Sequence, residues 1–398
     1  MAMRLWKRAR PPAALGPAEL RHALRYVRKA RGLREGNQLF LLHGGGEVFP
    51  SMLEAIAGAR SHVHLETYIL RADVTGRRFQ AALIERSRAG LEVRLLYDSF
   101  GSFGLDSTFV REFEEAGVEV VAFRPLAPWR RGWGLNRRDH QKILVVDDRV
   151  AFTGGINIGD EYAPPPEGGG WHDLQTRIEG PVVVDLARAF RRAWLLGGGR
   201  RFPEPQEREG ESKPGFQALA REIDNFGMRQ RSRMHAAWRQ AVNRAERSVH
   251  VLIAYFVPDR LMRRALRRAG RRGVDVRIIV PGVSDVWMVL YASRYLYATL
   301  LRAGVRIFEF PRKMMHAKAG VVDGVWSTIG SYNIDRRSFF HNLEVGLVIL
   351  DPGFAAQVER VFEQDIAECR EILLEEWNRR GWWERTKEWL CHLFRYWL

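Results

Sequence analysis

The chain of 398 residues contains no run of about 18 apolar residues, only two cysteines, and no HExxH or CxxC pattern. The first absence excludes a membrane-spanning helix, so any membrane role places the protein beside a bilayer and not through it. Cys369 and Cys391 are too few for a disulfide framework and lack metal-type spacing, which fits a reducing cytoplasm. No metal and no other cofactor has support in the sequence. The basic stretch Met1 to Arg10 lacks the apolar core of a signal peptide, which predicts a protein that stays cytoplasmic. Acidic residues are also short: 47 Asp and Glu face 63 Lys and Arg, a net charge of +16. That excess calls for an anionic partner, nucleic acid or an anionic lipid surface, and charge alone does not choose between them.

What is present is a repeat. His140-Gln-Lys142-Ile-Leu-Val-Val-Asp147 recurs in altered form as His316-Ala-Lys318-Ala-Gly-Val-Val-Asp323. Gly154 and Gly330 each follow their His by fourteen residues, and Asn157 and Asn333 by seventeen. His and Lys two apart, ahead of an apolar run, read as the start of a buried strand, where alternate side chains share a face. Glycine permits close backbone approach, and Asn adds a neutral donor. Two copies facing each other across a pseudo-two-fold axis would gather two His, two Lys and two Asn, a set suited to a singly charged phosphodiester. Either histidine alone would read as an ordinary strand-end residue; the duplication argues otherwise.

At these residues the chain resembles the phospholipase D superfamily, whose HxKxxxxD signature occurs twice per active site. Asn136 and Arg138 before His140, Gly154-Gly155-Ile156-Asn157 after it, and Gly330-Ser331-Tyr332-Asn333 in the second copy are most similar to bacterial cardiolipin synthases that lack transmembrane segments. The resemblance runs from about Leu33 to the C-terminus. It implies an α/β fold of two pseudo-symmetric lobes, each a mixed sheet flanked by helices, with the active site at their interface. It also implies a ping-pong phosphatidyl transfer through phosphohistidine, with His140 as nucleophile and His316 as acid and base. Asp147 and Asp323 belong to the motif and so to the catalytic set, although their position beyond the apolar run suits bracing a turn or the lobe interface. Asp173 and Glu344, each beginning a strand-like run a few dozen residues after its His, are candidate acceptors for the second imidazole nitrogen. Gly155, Ser331 and Arg138 join the substrate-binding set, and Glu66 and Tyr68 are expected to border the pocket.

The implied activity is that of a cardiolipin synthase, passing a phosphatidyl group to the head-group hydroxyl of phosphatidylglycerol. The alternative is a phospholipase D-like phosphodiesterase that hydrolyses phospholipid or nucleic acid. Partners in the first reading are anionic phospholipids (phosphatidylglycerol, cardiolipin) at the cytoplasmic face of the cell membrane, with no nucleic acid; homo-oligomerisation is left open.

Alternating strand and helix patterns divide the chain into a basic segment 1–36, a first lobe 37–196, a Gly/Pro/Glu-rich linker 197–215, a second lobe 216–368 and a C-terminal segment 369–398. The echo of 88–94 (RAGLEVR) at 271–277 (RRGVDVR) supports two related halves. Leu20, Leu24 and Val27 form a stripe on a basic helix, read as either solvated or membrane-facing. Trp287, Tyr291 and Tyr295, at helical spacing, suit the lining of an acyl-chain groove but read first as a core stripe. Trp129 and Trp133, in an irregular stretch before the first motif, suit a membrane rim. In the last segment Trp382, Trp383, Trp389, Leu393, Phe394 and Trp397 share one helical arc, while Glu384, Arg385, Glu388, His392 and Arg395 share the other, the pattern of a helix lying in a lipid interface.

Overall fold

One strand order, used twice, accounts for the architecture. The structure, a computed structural model, describes residues 15–27, 32–126, 136–206, 218–226, 233–311 and 313–396. After α1 (Pro17–Ala23), the first lobe runs β1 (Arg34–His43), α2 (Gly44–Ala57), β2 (His62–Thr67), α3 (Val74–Arg88), β3 (Glu92–Asp98) and α4 (Ser107–Glu115). It continues with β4 (Glu119–Phe123), β5 (Ile143–Val146), β6 (Val150–Gly154), β7 (Leu174–Glu179) and α5 (Val183–Leu196). The second lobe runs β8 (Ala218–Asp224), α6 (Arg233–Arg244), β9 (Ser248–Ile253), α7 (Arg260–Arg271), β10 (Asp275–Pro281) and α8 (Trp287–Leu301). Then come β11 (Arg306–Phe310), β12 (Lys318–Val322), β13 (Trp326–Gly330), α9 (Arg336–Phe340), β14 (Val345–Leu350) and α10 (Pro352–Glu368). The chain closes with β15 (Arg370–Glu371), α11 (Leu374–Asn378) and α12 (Trp382–Leu393).

The first lobe orders its strands β4-β3-β2-β5-β6-β7-β1, and the second orders β11-β10-β9-β12-β13-β14-β8 in the same way. Within each lobe three strands are parallel, as their crossover helices require, and the rest are antiparallel. Antiparallel pairing of β1 with β8, shifted in register between Arg34 and Asn37, joins the halves into one fifteen-stranded sheet. Aspartates Asp73, Asp106, Asp259 and Asp351 cap α3, α4, α7 and α10 by accepting from backbone N–H groups that lack helical partners.

Between the lobes lies an apolar core shared by both. It takes Leu186, Phe190 and Trp194 of α5 and Phe354, Val358 and Phe362 of α10, together with Ile143 and Ala319 of the motif strands. The symmetry reaches individual rings: His64 stacks on Phe190 at 4.8 Å, and its counterpart His250 stacks on Phe362 at 4.6 Å.

Three expectations change here. Neither a solvated nor a membrane-facing reading describes the N-terminal helix: Ala23, Tyr26 and Val27 are buried against the second lobe, with Leu20 and Leu24 packed beside them. An apolar stripe of that kind is satisfied by α6, its neighbour. The linker is anchored through residue 206, since Phe202 packs into the interlobe core and Trp194 Nε1 donates to the Arg200 carbonyl at 2.8 Å; residues 207–217 lie outside the described ones. Finally, Trp287 and Tyr295 are exposed, because α8 turns Val289, Ala292, Leu296 and Leu300 inward instead.

Candidate active site

Each motif histidine sits just ahead of a buried strand, β5 or β12, and is clamped by a backbone bridge from the opposite lobe. His140 N–H donates to the Leu343 carbonyl at 2.9 Å, and His316 N–H donates to the His172 carbonyl at 2.7 Å. These bridges bring up the next residue on each partner strand, Glu344 and Asp173. His140 Nδ1 lies 3.0 Å from Glu344 Oε2, and His316 Nδ1 lies 2.7 Å from Asp173 Oδ2. The sequence order had suggested that each carboxylate serves the histidine upstream in its own half; the structure exchanges them. With each Nδ1 facing a carboxylate that can accept its proton, each Nε2 stands outside that pairing.

Both carboxylates are themselves held. Glu344 Oε2 accepts from Ser331 Oγ at 2.5 Å, and its Oε1 accepts from Asn342 Nδ2 at 3.4 Å. Position 155, which corresponds to Ser331, must be glycine: a Cβ there would lie 2.1 Å from Asp173 Oδ1. Lys142 Nζ donates to the His140 carbonyl at 2.8 Å. Lys318 Nζ donates to the His316 carbonyl and stands 2.8 Å from His316 Nδ1.

Burial governs the electrostatics. It lowers His140 well below the ordinary imidazole value, helped by the charges of Lys142, Lys318 and His316, which also indicates that the two motifs converge. His316 is lowered by burial and Lys318, against Asp173. Burial brings Lys142 down to about 7, opposed by Glu344, and Lys318 down to about 8, opposed by Asp173. It brings Glu344 up to about 7, opposed by Lys142. An anion entering between the lysines would favour their charged forms.

Asn157 and Asn333 are committed to the scaffold. Asn157 Oδ1 accepts from Ile69 N–H at 3.1 Å while its Nδ2 donates to Tyr162 Oη at 2.6 Å; Asn333 Oδ1 accepts from Tyr255 N–H at 3.3 Å. Tyr162, Trp171 and Tyr255, none of them marked by a motif, form a cage whose ring centres lie 5.8, 5.6 and 6.0 Å from that of His316. Tyr162 and Trp171 follow the first motif segment closely, whereas Tyr255, just after β9, had no such signal in the sequence. Tyr68 does border the site, 4.8 Å from the His140 ring.

Asp147 and Asp323 do not reach the imidazoles or lysines, which removes them from the catalytic set the motif implies and agrees with their reading as turn braces. Asp147 accepts from the N–H groups of Arg60, Ser61 and His62 at 2.7–2.9 Å, and Asp323 from those of Glu246, Arg247 and Ser248 at 2.7–2.9 Å and from Tyr26 Oη at 2.5 Å. They brace the tight turns after β5 and β12, where their own φ angles are 55° and 53°. Glu66 is 1% exposed, set against Asp139 and within reach of the opposing charge of Lys142. Arg138 is buried with its guanidinium 3.6 Å from Asp98 and donating to the Arg124 carbonyl at 2.9 Å, so it supports the loop before His140. Of the aromatic positions, Trp382, Trp383, Trp389, Leu393 and Phe394 are exposed on α12, whereas Trp129, Trp133 and Trp397 lie outside the described residues.

Two lobes, two HxKxxxxD motifs and two carboxylates exchanged across the interface define an enzyme of the phospholipase D superfamily. Within it, the chain belongs to the cardiolipin synthase, PLD-like domain family, which matches residues 52–169 and 238–366. It is 35% identical over 370 residues to cardiolipin synthase B of Salmonella typhi, covering 91% of this chain and 89% of that protein. It is 33% identical over 355 residues to a probable cardiolipin synthase, YwiE, of Bacillus subtilis (strain 168), covering 89% and 71%. In fold it is similar to the crystal structure of phosphatidylserine synthase from Haemophilus influenzae Rd KW20, with a TM-score of 0.72 at 14% identity over 95% of this chain and 100% of that one. Among the described residues no helix is long and apolar enough to cross a membrane.

Proposed function

We propose that the protein is a cardiolipin synthase that moves a phosphatidyl group through a phosphohistidine to the head-group hydroxyl of phosphatidylglycerol. The observation that carries this reading is the pair of imidazoles whose Nδ1 atoms are held by Glu344 and Asp173, so that both Nε2 atoms are available at one buried site. His140 Nε2 attacks phosphorus, the bond from phosphorus to the leaving head-group oxygen breaks, and His316, entering the step as the imidazolium beside Asp173, gives that oxygen its Nε2 proton. His316 then takes the hydroxyl proton of the acceptor, whose oxygen attacks phosphorus as the bond to nitrogen breaks. Lys142 and Lys318 offset the phosphodiester charge throughout. The place of work is the cytoplasmic face of the cell membrane, with the protein bound peripherally to anionic lipid.

Mass analysis of lipids tests the reading. With phosphatidylglycerol as donor and acceptor, cardiolipin and free glycerol should appear together. Release of phosphatidic acid without cardiolipin would make water the acceptor and the protein a hydrolase. Running phosphatidylethanolamine as the donor decides the head group that leaves.

A further inference from the structure

Each catalytic histidine lies one aromatic ring beneath an exposed apolar loop. In the first lobe that ring is Tyr68, and the loop after β3 packs directly on it. Ser102 Oγ donates to the Tyr68 carbonyl at 3.2 Å, and Gly101 comes so close that a Cβ would lie 2.2 Å from the same oxygen. This loop exposes Phe100 and Phe103, the latter at 74%. In the second lobe the ring is Tyr255, whose hydroxyl donates to Asp285 Oδ1 at 2.7 Å in the loop after β10. That loop exposes Val283 and Val286 and leads into Trp287, 61% exposed. Because β3 and β10 hold equivalent places in the sheet, the two loops are equivalents. They present large apolar side chains at the same location with unrelated sequences.

The C-terminal helix α12 enlarges the second patch, and it does so inside out. The middle of its polar arc faces the protein: Glu388 and His392 are buried, with Glu388 paired to Arg380 and the His392 ring stacked 4.5 Å from Tyr295 of α8, while Arg385 stays exposed. Its aromatic arc faces outward, including Trp382, Trp389, Leu393 and Phe394. Between the two helices Cys391 joins Val257, Val289 and Ala292 in a small apolar cluster against which Tyr255 packs. The outward face of α12 is thus connected through packed side chains to the ring over His316.

We propose that these two loops and the outward arc of α12 form a single surface that inserts into the interface of an anionic phospholipid bilayer and seats the site's mouth on the lipid. An exposed apolar area of this extent marks an interaction surface, and its aromatic composition is that of a membrane–water belt. The surroundings are cationic. Arg71 reaches the Phe103 carbonyl with Nη1, Arg336 lies 5.9 Å over the Tyr396 ring, and the chain carries a net +16. The choice of lipid as occupant rests on the lipid-substrate reading above; the other occupant, a second copy of this chain, is separated from it by the test.

The full chain is sedimented with vesicles of phosphatidylglycerol and phosphatidylcholine, beside two variants, Phe103→Ser with Trp287→Ser, and Trp389→Ser with Leu393→Ser. Each pair should lower the vesicle partition at least tenfold. Turnover of short-chain phosphatidylglycerol in detergent micelles and the thermal midpoint should stay at the wild-type level. Unchanged partition in both variants overturns the proposal. So does a concentration-dependent dimer, seen by light scattering, that the same substitutions dissociate. If wild-type protein binds the vesicles through this surface yet forms no cardiolipin, the docking stands and the proposed activity falls. If it forms cardiolipin and the variants bind like wild type, only the docking falls.

Discussion

Glu344 of the second lobe holds the Nδ1 of His140 in the first at 3.0 Å, and both side chains are buried. A carboxylate in that place fixes the tautomer and orients the ring, and in the proposed reaction it stabilises the positive charge that forms on the histidine.

Glu344→Gln should therefore perturb His140, and Asp173→Asn should perturb His316, each lowering turnover about 10 to 100-fold. Nitrogen-15 spectra of labelled histidine check the pairing. Glu344→Gln should move the His140 resonances and leave those of His316 nearly in place, and Asp173→Asn should do the converse. The opposite pattern would return each carboxylate to the histidine of its own lobe.

The buried lysines set an alkaline limit. Lys142 at about 7 and Lys318 at about 8 are charged below those values and neutral above them. In the proposed reaction the charged forms bind the phosphodiester, so kcat/KM should decline as pH rises from about 7 to about 8. The bound anion raises both values, so kcat should hold to higher pH than kcat/KM. Coincident kcat and kcat/KM profiles, flat to pH 9, would contradict this.

Asp147→Ala and Asp323→Ala should cost stability and spare the chemistry. Each leaves three backbone N–H groups without their acceptor, a loss of roughly 1–3 kcal/mol in total allowing for water access. Although burial pushes Asp323 up, the Tyr26 hydroxyl and the backbone amides around Ser248 hold it below the ordinary aspartate value. Its contribution is present above that ordinary value and is lost as pH falls through the lower folded one. Denaturant midpoints and turnover per folded molecule separate the roles; loss of turnover at full stability would place these residues in the chemistry after all.

Register exposes an asymmetry that neither motif discloses. Glu66 faces Ile143 across β2 and β5, and Leu252 faces Ala319 across β9 and β12, so Glu66 and Leu252 are counterparts, as are Asp139 and Met315. Two acids thus replace two apolar residues in the interlobe core. Burial, reinforced by the neighbouring acid, raises Glu66 well above the usual carboxyl range, and burial raises Asp139 to about 7. The folded chain holds protons that the unfolded chain releases. The pair's contribution is consequently full below the ordinary carboxyl range and is lost as pH rises toward 7. Glu66→Gln should flatten the pH dependence of the melting temperature across that window and raise the value at pH 7. An unchanged slope in thermal scans would mean that the pair is ionised or hydrated.

The motifs, their spacing and the repeated strand and helix rhythm were legible because each is local in the chain. The His and Lys alternation at 140–142 and 316–318 survived folding intact. What crossed between halves was not legible. Order along the chain places Asp173 after His140, but nothing in that order says that the His172 carbonyl bridges to His316. Helical spacing separated the arcs of α12 and read the aromatic one as outward, but it did not show that Tyr295 and Ala292, on a helix almost a hundred residues earlier, receive His392 from the other. Tyr162 and Tyr255 carried no motif, and their approach to His316 depends on how two loops fold over the strand ends.

The exchange of carboxylates also makes the two halves mutually dependent. Either half alone, with one motif and one carboxylate, furnishes a histidine but not the group that holds it. Because one chain carries both, neither half is obliged to match the other. Ser331 where its twin has Gly155, and Glu66 where its twin has Leu252, are divergences that a symmetric pair of identical molecules could never have acquired separately.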